Sequence, residues 1–426
     1  MTRKTSAGIP VSGANAAAID HLDTALHELR CYVGDPVASA DAALQASPGM
    51  AMGHLLRAWL HLLGTEPAGI DVARAAHHAA SSLTMNAHER GHWIAIGHLV
   101  AGRWRAAGRV LEDVSIEHPL DTLALQAGHQ IDFFVGDSRM LHDRIARALP
   151  AWSPSVPGYH AVLGMQAFGL EETGRYERAE KLGRKSVELE PRDGWGQHAV
   201  AHVMEMQGRR ADGIAWMRAN VQAWSEGSFF AVHNWWHLAL FHLGLDQVDE
   251  VLALLDGPVC GGASTVVLDM IDASALLWRL QLRGIDVGSR WQALAQRWAP
   301  LAQAANYAFN DMHAMMAFVG AGRADLADAL LEAQAAAADA DGDNAGFTRE
   351  VGQAATRAIR AHADGRYAEV VELLRPVRSV AHRFGGSHAQ RDVIDLTLID
   401  AARRAGQSAL AEALLHERRS ARGELS

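Results

Sequence analysis

The sequence predicts an all-α fold built from helical hairpins. Alanine is abundant and only 12 prolines occur in 426 residues, a composition that favours helix throughout the chain. Glycine-centred turn motifs recur, and the steps from Gly102 to Gly136 and from Gly174 to Gly208 both span 34 residues. A fixed period of this length is typical of stacked helix pairs, in which each pair buries its apolar face against the next.

The turn motifs also set the register of the repeats. They read AGRWRAAG at 101–108, TGRYERAE at 173–180, QGRRADGI at 207–214 and ADGRYAEV at 363–370. Tyr176 and Ala179 take the positions where the two helices of a pair meet, and Trp104 and Ala107 take the same positions earlier in the chain. The period is that of the tetratricopeptide repeat. We therefore predict tetratricopeptide-type helical-hairpin repeats in a curved α-solenoid, and the sequence leaves open whether this solenoid closes on itself.

Two regions interrupt the pattern. Residues 1–15 are rich in Ser, Gly and Ala, and we expect a disordered N-terminal tail there. Residues 16–426 are predicted to form a single solenoid domain with loops near 257–266 and 339–348, because DGPVCGGAST and DADGDNAGFT are rich in turn-forming residues. From about residue 244 the period lengthens, which favours an irregular stack over a regular superhelix.

Composition limits the kinds of binding partner and the cellular compartment that we expect for this chain. A net charge of −10 without a basic stripe argues against nucleic acid as a partner. No run of eighteen uncharged apolar residues occurs, so we expect no membrane segment. Cys31 and Cys260 are too few for a disulfide framework or a zinc–thiolate site, which favours the reducing cytoplasm. No GxGxxG, P-loop or GxSxG motif occurs, so we expect no nucleotide cofactor and no serine nucleophile of that type.

The stretch 194–242 carries the main functional signal, two HxxxH pairs on successive helices. Residues four apart lie on one face of a helix, so His198 and His202 should point the same way, and Glu205 falls on the same stripe. The repeat register places these three on the inner wall of the solenoid. The predicted catalytic residues are His198, His202, Glu205, His233, His237, Asp272 and His388.

Seven further residues are predicted to bind a substrate. They are the amide, aromatic and charged residues Gln126, Gln130, Asn234, Trp236, Gln390, Arg391 and Asp392. Simpler structural roles remain open for several candidates. The HNWWH stretch could be an aromatic packing cluster, and Asp272 could complement a helix dipole. Ser387 could cap a helix, with Arg391–Asp392 bonding between repeats.

Four stretches resemble the tetratricopeptide repeat protein 38 family. They are GYHAVLGMQAFGLEETGRYERAEKLGRKSVELEPRDGWGQHAVAHVMEMQGRRADGIAWM, HNWWHLALFHL, LDMIDASALLWRL and GGSHAQRDVIDLTLIDAA. The resemblance runs from about residue 20 to about residue 415, and the QHAVAHVMEMQGR and GSHAQRD strings are its specific part. It implies an atypical all-helical, soluble, intracellular tetratricopeptide solenoid, and it implies no established reaction.

The functional prediction is a histidine-rich concave pocket that binds a small polar or acidic molecule, as a hydrolase or another acid–base enzyme. In this prediction His202 or His237 is the base, Glu205 or Asp272 orients it, and Arg391 holds an acidic group. A divalent metal is compatible with His198, His202 and His237, although the glutamate of HExxH is missing.

Two alternatives without catalysis stay open. A tetratricopeptide array is commonly a scaffold for protein–protein interaction, but the predicted groove positions hold His, Glu and Gln and no basic clamp for a peptide carboxylate. This departure favours a small-molecule ligand over a peptide. The chain could also be purely structural. The oligomeric state is not predicted, and a homodimer is compatible with the sequence.

Overall fold

A computed structural model describes residues 3–423 of the chain, and most of these residues are helical. The two short strands, β1 Arg3–Lys4 and β2 Pro10–Val11, pair antiparallel. The helices are α1 Ala16–Cys31, α2 Pro36–Ala46, α3 Ala51–Leu62, α4 Pro67–Ala80, α5 Ala87–Val100, α6 Trp104–Glu117, α7 Thr122–Phe134, α8 Ser138–Ala148, α9 Tyr159–Glu171, α10 Tyr176–Leu189, α11 Gly194–Met206, α12 Arg210–Ala219, α13 Val221–Ser225, α14 Ala231–Gly244, α15 Val248–Leu254, α16 Val267–Leu282, α17 Arg290–Trp298, α18 Ala308–Gly320, α19 Ala324–Ala338, α20 Asp343–Phe347, α21 Gln353–Ala363, α22 Tyr367–Val377, α23 His388–Arg404 and α24 Ser408–Ala421.

The helices form antiparallel hairpins, which confirms the predicted all-α repeat fold. Helices α9 and α10 show why the sequence folds in this way. Gly174 turns the chain between them with a φ of 75°, a left-handed conformation that glycine adopts without strain. Ala179, Gly183 and Ser186 form the buried face of α10, and their small side chains let α9 approach closely. Gly102, Gly136 and Gly208 have the same positive φ at the corresponding turns.

The contacts divide the chain into two compact units, whereas the sequence predicted one continuous domain. The first unit consists of residues 1–203 and 217–234, and the second of residues 204–216 and 235–426. The divisions fall inside α11, α12 and α14. A 34-residue period does not reveal such a division, because each hairpin meets its neighbours in the same way whichever unit it belongs to.

In the first unit, α1 packs on α7 as well as on its hairpin partner α2. Tyr32, which caps the end of α1, stacks on Trp195 with ring centroids 5.8 Å apart. The Gln130 amide donates to the Tyr32 hydroxyl at 2.7 Å. The hydrophobic core that continues from this contact includes Phe168 and other buried apolar side chains of α9 and α11.

The N-terminal segment differs from the predicted disordered tail. From residue 3 onward it forms the β1–β2 hairpin, in which Val11 is fully buried. The Pro10 carbonyl accepts hydrogen bonds from the Asn86 amide at 3.0 Å and from His88 Nε2 at 2.7 Å. A composition rich in small residues does not show such bonds, because they depend on side chains that lie more than seventy residues away.

In the second unit, tryptophans fix the packing of α16. The Trp278 indole donates to the Thr397 hydroxyl at 2.9 Å, which ties α16 to α23. The Trp298 indole donates to the Ser274 hydroxyl at 3.0 Å. The predicted loop at 339–348 contains the short helix α20, which Asn344 anchors by accepting a hydrogen bond from the Ala308 amide at 2.9 Å. Within residues 3–423, every helix is too short or too polar to cross a lipid bilayer.

Candidate functional site

The first unit brings together three of the predicted histidines, two from α11 and one from α14. His198 and His202 lie one turn apart in α11, with ring centroids separated by 4.3 Å. His233 reaches them from the first turn of α14, and its Nε2 atom lies 3.1 Å from Nε2 of His198. One nitrogen from each of the three rings lies within 4.8 Å of the other two. We call His198, His202 and His233 the histidine cluster.

Two glutamates at the C-terminal end of α9 lie next to this cluster. The Glu171 carboxylate lies 3.5 Å from Nδ1 of His202, and both side chains are fully buried. Glu172 also belongs to the group of possible metal ligands formed with Glu171 and His202. A carboxylate near Nδ1 favours the tautomer that carries its proton on that nitrogen.

Sequence reasoning missed both glutamates, although the sequence contained a signal. Glu171 is the last residue of α9 and Glu172 is its C-cap. Two carboxylates at a helix C-terminus face the negative end of the helix dipole, which disfavours them. An acidic pair at a helix C-terminus therefore indicates that partners outside the helix stabilise it, and His202 is one such partner.

Aromatic side chains enclose His198. Its ring centroid lies 4.8 Å from Trp195, 5.2 Å from Phe230 and 5.4 Å from Phe168. His198 and His202 are buried, whereas His233 and Phe230 are half-buried. Solvent therefore approaches the histidine cluster on the side of His233 and Phe230.

Three predicted substrate-binding residues of the first unit make structural hydrogen bonds. The Gln126 amide donates to the Leu29 carbonyl at 3.0 Å, and Gln130 donates to the Tyr32 hydroxyl. The Asn234 amide donates to the Gly194 carbonyl at 3.2 Å. Gln126 and Gln130 thus connect α7 to the end of α1, and Asn234 connects α14 to the start of α11.

The second unit contains the predicted residues Glu205 and Asp392 in a network of buried charges. Arg422 donates to Glu205 at 2.5 Å and lies 3.0 Å from the Asp392 carboxylate. Arg418 makes two further bonds to Asp392, at 2.7 and 2.8 Å. Burial alone would raise the pKa of Asp392, but Arg422 and Arg418 hold it far below its usual range. Both carboxylates therefore bind arginines of the chain itself.

Three other candidates of the second unit are buried in α14 and α16. His237 packs edge-on against Trp236, with ring centroids 5.0 Å apart. The Arg279 guanidinium lies 5.4 Å from the centre of the Trp236 ring, and burial lowers the pKa of Arg279 to about 10. Asp272 lies in the second turn of α16 and is also buried.

The first turn of α23 has the predicted serine cap. The Ser387 hydroxyl accepts a hydrogen bond from the backbone N–H of Gln390 at 3.2 Å. In return, the side-chain oxygen of Gln390 accepts one from the backbone N–H of Ser387 at 3.0 Å. This reciprocal pair is a capping box, so Gln390 has a structural partner. Arg391 donates to the Gly386 carbonyl. His388 is the first residue of α23 and is half-buried.

A second buried cluster in the first unit has a structural explanation. The Trp59 indole donates to Nδ1 of His92 at 3.0 Å, so the proton of this ring is on Nε2, which bonds Asp121 at 3.0 Å. The same carboxylate lies 3.2 Å from Nδ1 of His88. Asp121 also caps α7 by accepting from the Ala124 amide. Both ring nitrogens of His92 are engaged, and the cluster ties α3, α5 and α7 together.

The histidine cluster fits a divalent metal ion better than this second cluster does. Two imidazole nitrogens bound to one zinc ion in tetrahedral geometry lie about 3.3 Å apart, given Zn–N bonds of about 2.0–2.1 Å. The 3.1 Å between the Nε2 atoms of His198 and His233 is close to that value. The same separation also suits an N–H···N hydrogen bond, in which one ring donates and the other accepts. The geometry thus accommodates a metal ion or a shared proton.

Comparisons with known proteins give a fold likeness only. No family model matches the chain. Among solved structures, the chain is similar to the crystal structure of the yeast Tom70, with 12% sequence identity and a TM-score of 0.34. The match covers 95% of this chain and 91% of that chain. At this level of similarity, the residues of that protein assign no role to residues here.

Proposed function

We propose that the first unit is a small-molecule enzyme that carries out acid–base chemistry, with hydrolysis as its reaction class, at the histidine cluster. The observation that carries this proposal is the convergence of three imidazoles beside the buried carboxylate of Glu171. Imidazole titrates near neutral pH, and a neighbouring carboxylate fixes which ring nitrogen holds the proton. A group of this composition can accept a proton from water and return it to a leaving group.

Each residue has a distinct part in this proposal. Glu171 orients His202, while the 3.1 Å contact between His198 and His233 lets a proton pass between their Nε2 atoms. His233 is half-buried and is the member of the cluster that solvent and substrate reach first. A divalent ion such as zinc, when bound by these imidazoles, would lower the pKa of its bound water towards neutrality and polarise a carbonyl or phosphoryl oxygen.

Burial is the reason for proposing a small substrate. His198 is 2% exposed and His202 is fully buried, so an extended peptide lying on the surface would not reach them. The rings of Trp195 and Phe230 beside His198 favour a substrate with one flat or apolar part and one polar, hydrolysable group. A scaffold that binds peptides would instead present its polar residues at the surface.

The proposal is tested on the full chain by metal analysis and a hydrolysis screen. Zinc, manganese and iron are measured in the purified protein, which is then assayed against small esters, amides and phosphate monoesters with and without added metal. We expect hydrolysis of one of these classes, and its loss in His202→Ala and His198→Ala. His78→Ala, which changes an exposed histidine of α4, is the matched control and should keep full activity.

Negative results would separate the alternatives. A folded protein that binds no metal and hydrolyses none of these classes would overturn the proposal and favour the non-catalytic scaffold. Hydrolysis that persists unchanged in His202→Ala would show that the activity belongs elsewhere. Hydrolysis without any bound metal, lost in His202→Ala, would leave the proton-transfer form of the mechanism.

Membership of the tetratricopeptide repeat protein 38 family and a cytoplasmic location are part of the same proposal. The QHAVAHVMEMQGR string supports the family assignment, and it supplies His198 and His202 of the site. The small number of cysteines supports a reducing compartment. The proposed partner is a small polar or acidic ligand, and fluorescence microscopy of the tagged chain tests the location.

A further inference from the structure

Another group of possible metal ligands lies in the first unit, outside α11 and α14. His27 and Cys31 are one turn apart at the end of α1, with Nδ1 of His27 3.9 Å from the Cys31 sulfur. Opposite them are His160, in the first turn of α9, and Glu190, the C-cap of α10. One ligand atom from each of these four residues lies within 4.8 Å of the other three.

The observed spacing is close to that of a tetrahedral site. Nitrogen and sulfur ligands of one zinc ion lie about 3.6 Å apart, given bonds of about 2.0–2.1 Å to nitrogen and about 2.3 Å to sulfur. The 3.9 Å between His27 and Cys31 exceeds this value only slightly. Their separation of four residues places both on one face of α1, as a pair of ligands on one helix requires.

Asp193 orients His160 for metal binding. Nδ1 of His160 lies 2.8 Å from the Asp193 carboxylate, which only accepts, so this nitrogen carries the proton. Nε2 of a neutral His160 is then the free ligand atom. Asp193 is fully buried, its Oδ2 lies 2.6 Å from the Ser186 hydroxyl, and its Oδ1 accepts from the Gly196 amide at 2.9 Å. A carboxylate fixed behind a histidine is the usual second contact of a zinc-bound histidine.

Charges of both signs surround the cysteine. The carboxylates of Asp193 and Glu190 and the guanidinium groups of Arg30 and Arg192 all act on the Cys31 sulfur. A divalent cation bound at the sulfur would stabilise the thiolate and offset the two carboxylates.

We propose that His27, Cys31, His160 and Glu190 form a structural zinc site that fastens α1 to the α9–α10 hairpin. One sulfur, two nitrogens and one carboxylate oxygen suit zinc better than calcium or magnesium, which prefer oxygen ligands alone. Four protein ligands close the coordination sphere, which is the character of a structural site. The site connects residues more than 120 positions apart, so the metal stabilises a long-range contact.

This proposal is independent of the histidine cluster, and cobalt substitution distinguishes the two sites. The full chain is stripped of metal and titrated with Co²⁺, which gives a thiolate-to-metal charge-transfer absorption only where sulfur is a ligand. We expect this absorption in the wild type, and its loss in Cys31→Ser. It should persist in Cys260→Ser, which removes the other cysteine, and in His202→Ala.

His27→Ala is a second test variant. His27 is exposed, so this substitution should leave the fold intact even if the change at the buried Cys31 impairs folding. We expect it to weaken zinc binding at this site by at least tenfold and, compared in a His202→Ala background, to remove the rise in midpoint temperature that zinc gives. Absence of the charge-transfer absorption in folded wild-type protein overturns the proposal. The same conclusion follows if the absorption survives in Cys31→Ser or disappears in Cys260→Ser.

Discussion

The Nε2 atoms of His198 and His233 lie 3.1 Å apart, although the two residues come from different helices, α11 and α14. Two protonated nitrogens at this distance would repel each other, so no more than one proton lies between them. The distance suits a shared proton, and it also suits the metal ion of the proposed function. His202 lies beside His198, with ring centroids 4.3 Å apart, and its Nδ1 is 3.5 Å from the Glu171 carboxylate.

Glu171→Gln should lower the affinity of the histidine cluster for zinc by about 10–100-fold, the effect expected from losing a carboxylate behind a metal-bound histidine. The substitution keeps the shape of the side chain but removes the negative charge 3.5 Å from Nδ1 of His202. Isothermal titration of metal-free protein with zinc measures the change. It is best done in the Cys31→Ser background, so that the proposed second site does not contribute.

Glu177→Gln is the matched control for this experiment. Glu177 lies in the first turn of α10 and is exposed, so it carries the same change in charge six residues away. We expect its zinc affinity to equal that of the background protein. Equal affinities in Glu171→Gln and Glu177→Gln would show that Glu171 does not support a metal site.

The ion pair of His88 with Asp121 should make stability depend on pH. Burial acts to lower the pKa of His88, but the hydrogen bond and charge of Asp121 and the Pro10 carbonyl outweigh it and raise the pKa above 6.5. A raised histidine pKa contributes stability that is fully present below the unfolded value and is lost as the pH rises through the folded value. The wild type should therefore lose this contribution above pH 6.5.

Urea denaturation at several pH values between about 6 and 9 measures the free energy of unfolding of the wild type and of His88→Gln. The difference between the two proteins should shrink as the pH rises. A difference that stays constant over this range would mean that His88 is neutral in the folded protein. His98→Gln, at a half-buried histidine later in α5, serves as a control.

The repeat fold could be predicted because its causes are local. The turn glycines Gly102 and Gly174 and the small residue Ala179 act within one hairpin, and a period reveals such features directly. The convergence of His198 and His202 on one face follows from the helical period alone, and the two rings are indeed 4.3 Å apart. Their function remains a prediction.

Other features could not be predicted, because they depend on which helices meet. Gln126 and Gln130 have the spacing of ligand-binding positions. However, α1 packs on α7, and groups at the end of α1 accept hydrogen bonds from both side-chain amides. Two cysteines are too few for a site with several sulfurs, and for that reason the sequence predicted no zinc–thiolate site. The proposed mixed site needs only one cysteine, Cys31. Two of its other ligands, His160 and Glu190, lie on a hairpin that the repeat period does not place against α1.

Arg144→Ala should destabilise the first unit by about 3–5 kcal/mol, because it leaves the carboxylate of Asp132 buried without its partner. Arg144 is 1% exposed, bonds both oxygens of Asp132 at 2.7 and 2.9 Å, and donates to the Gly108 carbonyl at 3.0 Å. Urea denaturation measures the loss. Arg147→Ala breaks the more exposed pair with Glu112 and should cost less than about 1 kcal/mol.

If Arg144→Ala and Arg147→Ala lower the free energy of unfolding by the same amount, the buried pair contributes no more to stability than the exposed pair. The double variant Asp132→Asn with Arg144→Met offers a further check on the cause. It removes both charges together, so it should be more stable than Arg144→Ala alone if an uncompensated carboxylate is responsible for the loss.

Arg422→Ala should destabilise the second unit, by about 3 kcal/mol, through Glu205. Arg422 bonds Glu205 at 2.5 Å, and both side chains are more than nine-tenths buried, whereas Asp392 keeps the two bonds from Arg418 after the substitution. The lost stability should therefore come mainly from the Glu205 carboxylate, which no longer has Arg422 as its ion-pair partner. In Glu205→Gln, which has no charge to leave unpaired, the same arginine change should cost much less, and the double-mutant cycle gives this coupling directly.

Arg419→Ala, at an exposed arginine of the same helix, controls for changes in the helicity and net charge of α24. We expect its free energy of unfolding to stay within about 0.5 kcal/mol of the wild type. A coupling energy near zero between positions 205 and 422 would mean that the pair adds nothing to stability. Glu205 would then be available for the catalytic role that the sequence predicted, whereas a strong coupling makes it a structural partner of Arg422.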